Sequence, residues 1–273
     1  MSTVPLAEPV GQTVTTAGCR PHRIRDILLG VLAFAAGSID VLSWLALGKV
    51  FSAFMTGNVV FLAAGLFSHH SKLSLHAGLA LCTFGAGAWA TALAIPREHP
   101  SVLWPARVTA ALIACALLQL AFWILWLSVG GHPGPSSLMV LLGILAFAMG
   151  IQTAAAVALG VHAVFTTAVT ATWTVLVGDA AHWSATETER RRLILVLGGT
   201  LLGALAGALL LAHLRLWMPL LPVLLTGGVV LTAHHRIEGY VDPIRSSVSS
   251  APHPLNRGFG RSPAEPSSTP DGR

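Results

Sequence analysis

The chain has 273 residues, of which 54% are hydrophobic and only 10% charged, and its formal net charge is +5. Soluble domains carry about 25% charged residues, so this composition cannot cover a globule with polar surface and excludes a water-soluble enzyme. Cys19, Cys82 and Cys115 are an odd, scattered set without a CxxC or metal-ligand spacing, which excludes a secreted disulfide scaffold.

Residues 1–26 are polar, rich in Thr and Pro, and end in Arg20, Arg23 and Arg25. They read as a disordered cytoplasmic tail. Apolar runs then follow at 27–47, 50–68, 74–95, 106–130, 136–160, 162–181, 193–214 and 216–234. Each approaches the ~20 residues that cross ~30 Å of hydrocarbon as a helix. Residues 27–234 therefore read as a single transmembrane domain. Residues 235–273, rich in Ser, Pro, Gly and Arg, read as a second disordered cytoplasmic tail. Ala33-Phe34-Ala35 resembles a signal-peptidase site, but hydrophobicity continues well past it, so the first run is expected to remain as a span. The basic residues lie in tails and short loops, which suits a cytoplasmic membrane face and implies no nucleic-acid partner.

An internal self-match divides the domain. Residues 37–66, GSIDVLSWLALGKVFSAFMTGNVVFLAAGL, parallel residues 149–179, MGIQTAAAVALGVHAVFTTAVTATWTVLVGD. Asp40 aligns with Gln152 and Gly48 with Gly160; after a two-residue shift Thr56 aligns with Thr170 and Asn58 with Thr172. Each copy has an apolar helix holding a polar residue, a break at Gly48 or Gly160, and a second, short or broken helix. The halves are expected at 27–130 and 136–234. Gly85 and Gly87 in one half, and Gly199, Gly203 and Gly207 in the other, let helix backbones approach closely in lipid.

The first copy resembles the YoaK-type bacterial integral membrane proteins, a domain of unknown function. The residues that carry the likeness are Asp40, Leu47-Gly48, Phe51 and Met55-Thr56-Gly57-Asn58, with Met149-Gly150-Ile151-Gln152 and Thr170 in the second half. It covers most of 27–234. The chain departs at Thr170-Ala171, where the family continues Thr-Gly. The resemblance implies a polytopic inner-membrane protein and supplies no substrate or reaction.

Topology turns on the second run of each half. If runs 50–68 and 162–181 cross, eight spans result and the halves are parallel; if they dip and return, six spans result and the halves are inverted, as in many transporters. Both arrangements put both tails in the cytoplasm.

Asp40 is the acidic residue well inside an apolar run. An Asp at the helix centre costs ~3 kcal/mol on insertion scales, so it must face protein or water, be protonated, or be paired. Its functional reading is a proton or cation site, or an anchor for a cationic substrate group; its structural reading is a carboxyl that bonds a neighbouring helix. Thr56, Gly57 and Asn58 lie mid-run. Gly57 lets a helix unwind or a neighbour approach, and Asn58 offers a donor and an acceptor. Thr167, Thr170 and Thr172 are their counterparts. His162, at the Gly160 break, is a candidate lining residue. Asp179 next to His182 reads as a solvated helix end. The adjacent pairs His69-His70 and His234-His235 point to different helix sides and are poor metal sites. Trp104, Trp183 and Trp217 read as membrane-interface anchors, Trp123 and Trp126 as packing residues.

No GxSxG, HExxH or GxxxxGK[ST] pattern occurs. The expectation is an all-α bundle of six to eight helices without catalytic residues, metal or cofactor. The leading function is a secondary transporter or channel for a small solute or ion. Its midplane site would be built from Asp40, Thr56, Asn58, Gln152, Thr170 and Thr172. The lipid bilayer is the expected partner, with homo-oligomerisation left open. The alternatives are a non-transporting sensor or assembly partner, and an enzyme acting on lipid or quinone.

Overall fold

Proline and glycine set the helix limits. The computed structural model describes residues 19–67, 71–95, 102–160, 174, 177–178 and 187–241. Within them the chain is helical: α1 (Cys19–Ala46), α2 (Met55–Phe67), α3 (Ser71–Ala94), α4 (Ala106–Ser128), α5 (Pro135–Ala158), α6 (Glu187–His213) and α7 (Leu220–Arg236). Pro105 and Pro219 immediately precede α4 and α7, and Pro135 opens α5, where a missing N–H removes no helical bond. Gly48 and Gly160 end α1 and α5 in the left-handed region, at φ 93° and 63°, a conformation that exempts glycine from the Cβ clash. Both expected helix breaks are therefore present. Helix α1 starts at Cys19, ahead of the apolar run beginning at Ile27.

Helices α1, α3, α4, α5 and α6 are long and apolar enough to cross a membrane. Large apolar side chains such as Leu66, Trp89, Leu117, Leu202 and Leu224 face outward. Such a surface requires hydrocarbon around it. The protein is an all-α polytopic membrane protein.

Run 50–68 does not cross. Helix α2 has 13 residues, about 20 Å of rise against ~30 Å of hydrocarbon. The amides of Ser52 and Ala53 bond the carboxylate of Asp40, about 9 Å inside the end of α1. Near its other end, the carbonyl of Leu62 accepts a bond from Ser74 in the first turn of α3. The carbonyl of Gly48 lies 3.3 Å from His76 Nδ1, two residues further on. The chain thus leaves α1, dips back, and climbs through α2 to the face it left. The second expected break segment, 162–181, lies almost entirely outside the described residues, and Thr167, Thr170, Thr172, His162 and Asp179 with it.

Directions follow from the contacts. Gly199, Gly203 and Gly207 of α6 sit on Gly30, Phe34 and Ser38 of α1, in rising order, so these two helices are parallel. Gly87 and Gly143 likewise set α3 parallel to α5, through Phe147 and Thr83. The indole N–H groups of Trp123 and Trp126 donate to the carbonyls of Leu216 and Arg215, while Thr109 bonds Glu238, so α4 and α7 are antiparallel. With short turns at 129–134 and 214–219, the six helices other than α2 alternate in direction, and α1 runs opposite to α5.

The packing is reciprocal. Helix α1 packs on α6 as α5 packs on α3; α4 packs on α5 as α7 packs on α1; and α4 meets α7 and α1 meets α5 across the middle. The close approaches repeat in detail. A Cβ on Gly37 would strike the carbonyl of Thr200, and one on Gly203 that of Phe34. A Cβ on Gly150 would strike the carbonyl of Phe84, and one on Gly87 that of Phe147. Exchange therefore pairs Phe34 with Phe147 and Gly37 with Gly150. The Ala-Phe-Ala triplets at 33–35 and 146–148 fit this register. It corrects the sequence alignment by one residue: the counterpart of Asp40 is Thr153, not Gln152. Gly48 and Gly160 still correspond, because the first copy has one residue more between its packing glycine and its break.

At the face where α1 begins, Asp26 is buried, and Arg192 of α6 donates to it from Nε at 3.0 Å and a terminal nitrogen at 3.5 Å. Trp104, expected at the membrane interface, is wholly buried and donates to the hydroxyl of Thr109. Trp217 is exposed as expected.

Bulk at the reciprocal crossings should destabilise both equally. Gly203→Leu and Gly87→Leu are each expected to cost about 1–3 kcal/mol or more, since backbone rather than a flexible side chain must yield. Gly85→Leu, with open space beside it, should be neutral. Thermal unfolding of the detergent-purified protein, followed by tryptophan fluorescence, checks all three.

Candidate functional site

The site begins with a reversal of the backbone. Gly48 is followed by Lys49, also left-handed at φ 63°. Two such residues in succession turn the chain back along α1, and the Lys49 ammonium lies 5.7 Å over the Trp44 ring. Phe51 stacks on Trp44 with centroids 5.3 Å apart, packs on Phe61 and meets Phe54 edge-on. A Cβ on Gly57 would lie 2.9 Å from the Phe51 ring. Gly57 thus serves close approach within the first turns of α2, and the helix does not unwind there.

Inside a membrane the amides and carbonyls of such a turn need partners from the protein. Asn58, wholly buried, supplies both halves of one pair: its Oδ1 accepts the Phe51 N–H at 2.9 Å and its Nδ2 donates to the Phe51 carbonyl at 2.6 Å. Asp40 Oδ1 accepts the N–H groups of Ser52 and Ala53 at 2.9 and 2.7 Å. The hydroxyls of Ser43 and Ser52 bond each other at 2.6 Å. The motif residues Asp40, Gly48, Phe51, Gly57 and Asn58 are thus the residues that stitch one re-entrant turn.

Beside this turn lies a cavity of about 100 Å³, lined by α1, the re-entrant segment, α5 and α6. Asp40, Gln152, Thr153 and Thr200 give it polar groups; Leu32, Ala36, Ala53, Met149 and Ala156 are among its apolar walls. Asp40 keeps some exposed surface. Two exchange-related pairs, Asp40 with Thr153 and Ala36 with Met149, line the same space, so it straddles the junction of the halves. Gln152 Nε2 donates to the Leu32 carbonyl at 3.2 Å, tying α5 to α1. Behind it, Cys115 Sγ lies 3.9 Å from Gln152 Oε1 and 3.4 Å from Gln119 Nε2, a polar chain through the α4–α5 contact.

The structure thus brings Asp40 and Gln152 together. It places Asn58 away from the cavity, committed to Phe51, and Thr56 on an exposed face. Gly48 and Gly57 shape the turn. Thr167, Thr170 and Thr172 are outside the described residues. Thr153 and Thr200 were missed. The paired Ala-Phe-Ala triplets, which put Thr153 in the place of Asp40, were the signal for the first; Thr200 had none.

A model of a family described as a protein of unknown function (DUF1275) matches residues 28–232, a span that includes the re-entrant turn and every residue lining the cavity. The chain is 30% identical over 228 residues to the UPF0700 transmembrane protein YoaK of Bacillus subtilis (strain 168), covering 79% of this chain and 96% of that protein. No solved structure matches the chain.

The turn should distinguish shape from charge at Asp40. Asp40→Asn keeps an oxygen acceptor for Ser52 and Ala53 and should retain near-parental thermal stability. Asp40→Ala strands both amides, at about 1–3 kcal/mol each, and should unfold at clearly lower temperature. Asn58→Asp, which loses the donor to the Phe51 carbonyl and sets a charge against it, should be destabilised at least as much as Asp40→Ala.

Proposed function

The chain belongs to the DUF1275 family, and we propose that it is a secondary transporter or channel for a small solute, bound at the cavity between its halves. The observation that carries this reading is the meeting of Asp40, Gln152, Thr153 and Thr200 around one space. Three separate helical elements and the re-entrant segment contribute to it. A carboxylate is costly to hold at this depth, and here it borders a space large enough for about three waters at ~30 Å³ each.

The halves, 27–130 and 136–234, are in this reading an inverted repeat. The support is the reciprocal packing and the antiparallel course of α1 and α5. Inverted repeats place the solute site at their junction and let one half rock against the other to open alternate faces. The re-entrant turn fits that scheme, since irregular backbone at membrane depth is tolerated where it is covered by protein or lines a cavity.

In this reading the protein sits in the bacterial cytoplasmic membrane with both ends of the chain inside. Arg23, Arg25, Arg107, Arg190, Arg191, Arg192 and Arg236 belong to the face where α1 begins and α7 ends, against Lys49, Lys72 and Arg215 on the other. Basic residues favour the cytoplasmic side. The chemistry proposed is binding and release rather than reaction: of the described residues lining the cavity, Asp40 alone is titratable, and no nucleophile and base are paired there.

Proteoliposomes on a solid-supported membrane, challenged with concentration jumps of alkali cations, ammonium, short amines, amino acids, sugars and organic acids, test the function. Trapped pyranine reports coupled protons. At least one class should give a response that falls more than tenfold in Asp40→Asn. Silence across the panel, or equal responses in parent and variant, would defeat the proposal. Orientation is tested in intact cells, in a background without Cys19 and Cys82. A membrane-impermeant maleimide should label His132→Cys directly, and Arg236→Cys only after permeabilisation.

A further inference from the structure

The size and chemistry of the cavity narrow what it can hold. Its volume of about 100 Å³ is well below the ~300–1,000 Å³ of pockets that take drug-sized ligands. The occupant therefore has only a few non-hydrogen atoms. No basic side chain is among the described residues lining the space, and Asp40 is their one acidic group.

Four ligand classes can be compared on these terms. An anion would meet the Asp40 carboxylate. A neutral solute would make no use of an ionised Asp40, because a carboxyl among largely apolar walls takes up a proton unless a counter-charge holds it ionised. A hard metal cation needs about six oxygen ligands. The walls are mostly hydrocarbon, and the Gln152 amide already ties α5 to the Leu32 carbonyl. What remains is a cation with a small apolar body.

Resting on the reading that this cavity is the solute site, we propose that it binds a primary alkylammonium ion of one to three carbons. The ammonium group sits against the Asp40 carboxylate, whose orientation is held by the amides of Ser52 and Ala53. The hydroxyls of Thr153 and Thr200 stand at the same cavity as acceptors for its remaining N–H groups. The alkyl chain lies on Leu32, Ala36, Met149 and Ala156. A butyl or longer chain extends beyond the space, and a tetraethylammonium ion has no N–H to give to the carboxylate and hydroxyls.

The test uses the full-length protein in detergent, with thermal unfolding read by tryptophan fluorescence at matched ionic strength. Ethylammonium chloride should raise Tm in a saturable manner. Sodium, potassium and tetraethylammonium chlorides should give less than a tenth of that rise. The rise should vanish in Asp40→Asn, which keeps the turn's acceptor, and in Ala36→Leu, which fills the cavity and leaves the carboxylate in place. An equal rise with sodium, or an ethylammonium response that survives in Asp40→Asn, would overturn the proposal. Flux separates it from the broader reading. Saturable, Asp40-dependent amine binding without ethylammonium flux in proteoliposomes would sink the carrier and keep the ligand. Asp40-dependent flux of another solute class with no amine binding would sink the ligand and keep the carrier.

Discussion

A hydrogen bond from backbone to carboxylate, made at membrane depth, is the constraint on which this architecture turns. The chain enters the membrane between α1 and α2 without the ladder of a helix, so its amides must be met by side chains. Asp40 meets those of Ser52 and Ala53, and Asn58 meets both polar groups of Phe51. Each of these partners comes from close by in the sequence, so the turn is a local construction. With the turn stitched, Phe51 stacks on Trp44 and Phe61 and closes it against α1 and α2. The carboxylate at this depth therefore has a structural use, which the chemical one proposed for it does not exclude.

Around that turn the bundle is held by backbone contact rather than by interlocking large side chains. Lipid is as apolar as leucine, so burial of hydrocarbon does little to drive helices together in a membrane; close van der Waals packing does more. The glycines on α6 and α3 bring carbonyls of α1 and α5 against them at two crossings that map onto each other. Larger residues are used elsewhere. Leu32, Leu112, Ala155 and Val229 fill one end of the junction. Phe122 and Trp126 lie in the other cluster with Leu145 and Leu211. The Asp26–Arg192 pair then fixes the ends of α1 and α6 that face the basic side.

Much of this was legible in the chain itself. Apolar runs of helical length, the glycine breaks, the polar residue inside α1 and the two-fold character of the sequence all have local signatures. The number of crossings did not, because a largely apolar run of nineteen residues at 50–68 reads the same whether it spans or folds back; the deciding bonds join Asp40 to Ser52 and Ala53. Asn58 was read as a solute contact because its donor and acceptor suit one, yet a backbone unit seven residues away claims both. Trp104 looked like an interface anchor by its place at a run end and is instead enclosed by the chain near Tyr240, whose carbonyl bonds the Leu103 amide. The Asp26–Arg192 pair spans 166 residues and has no local pattern at all. The alignment of Asp40 with Gln152 followed the Ala-Leu-Gly breaks; packing glycines ten residues upstream set the true register.

That register bears on how the two halves divide their work. Exchange places Thr153 where Asp40 stands, so a charged position in one half is a neutral hydroxyl in the other, and both reach the same cavity. A perfect repeat would put two carboxylates side by side in a low-dielectric space, where like charges cannot both ionise. The departure from symmetry removes that conflict and leaves a single negative charge to be matched. The carboxylate that borders the cavity is also the one that holds Ser52 and Ala53. A cation drawn to Asp40 would weaken its pull on those two amides. In the proposed carrier, occupancy and the hold on the re-entrant segment are therefore coupled through one side chain.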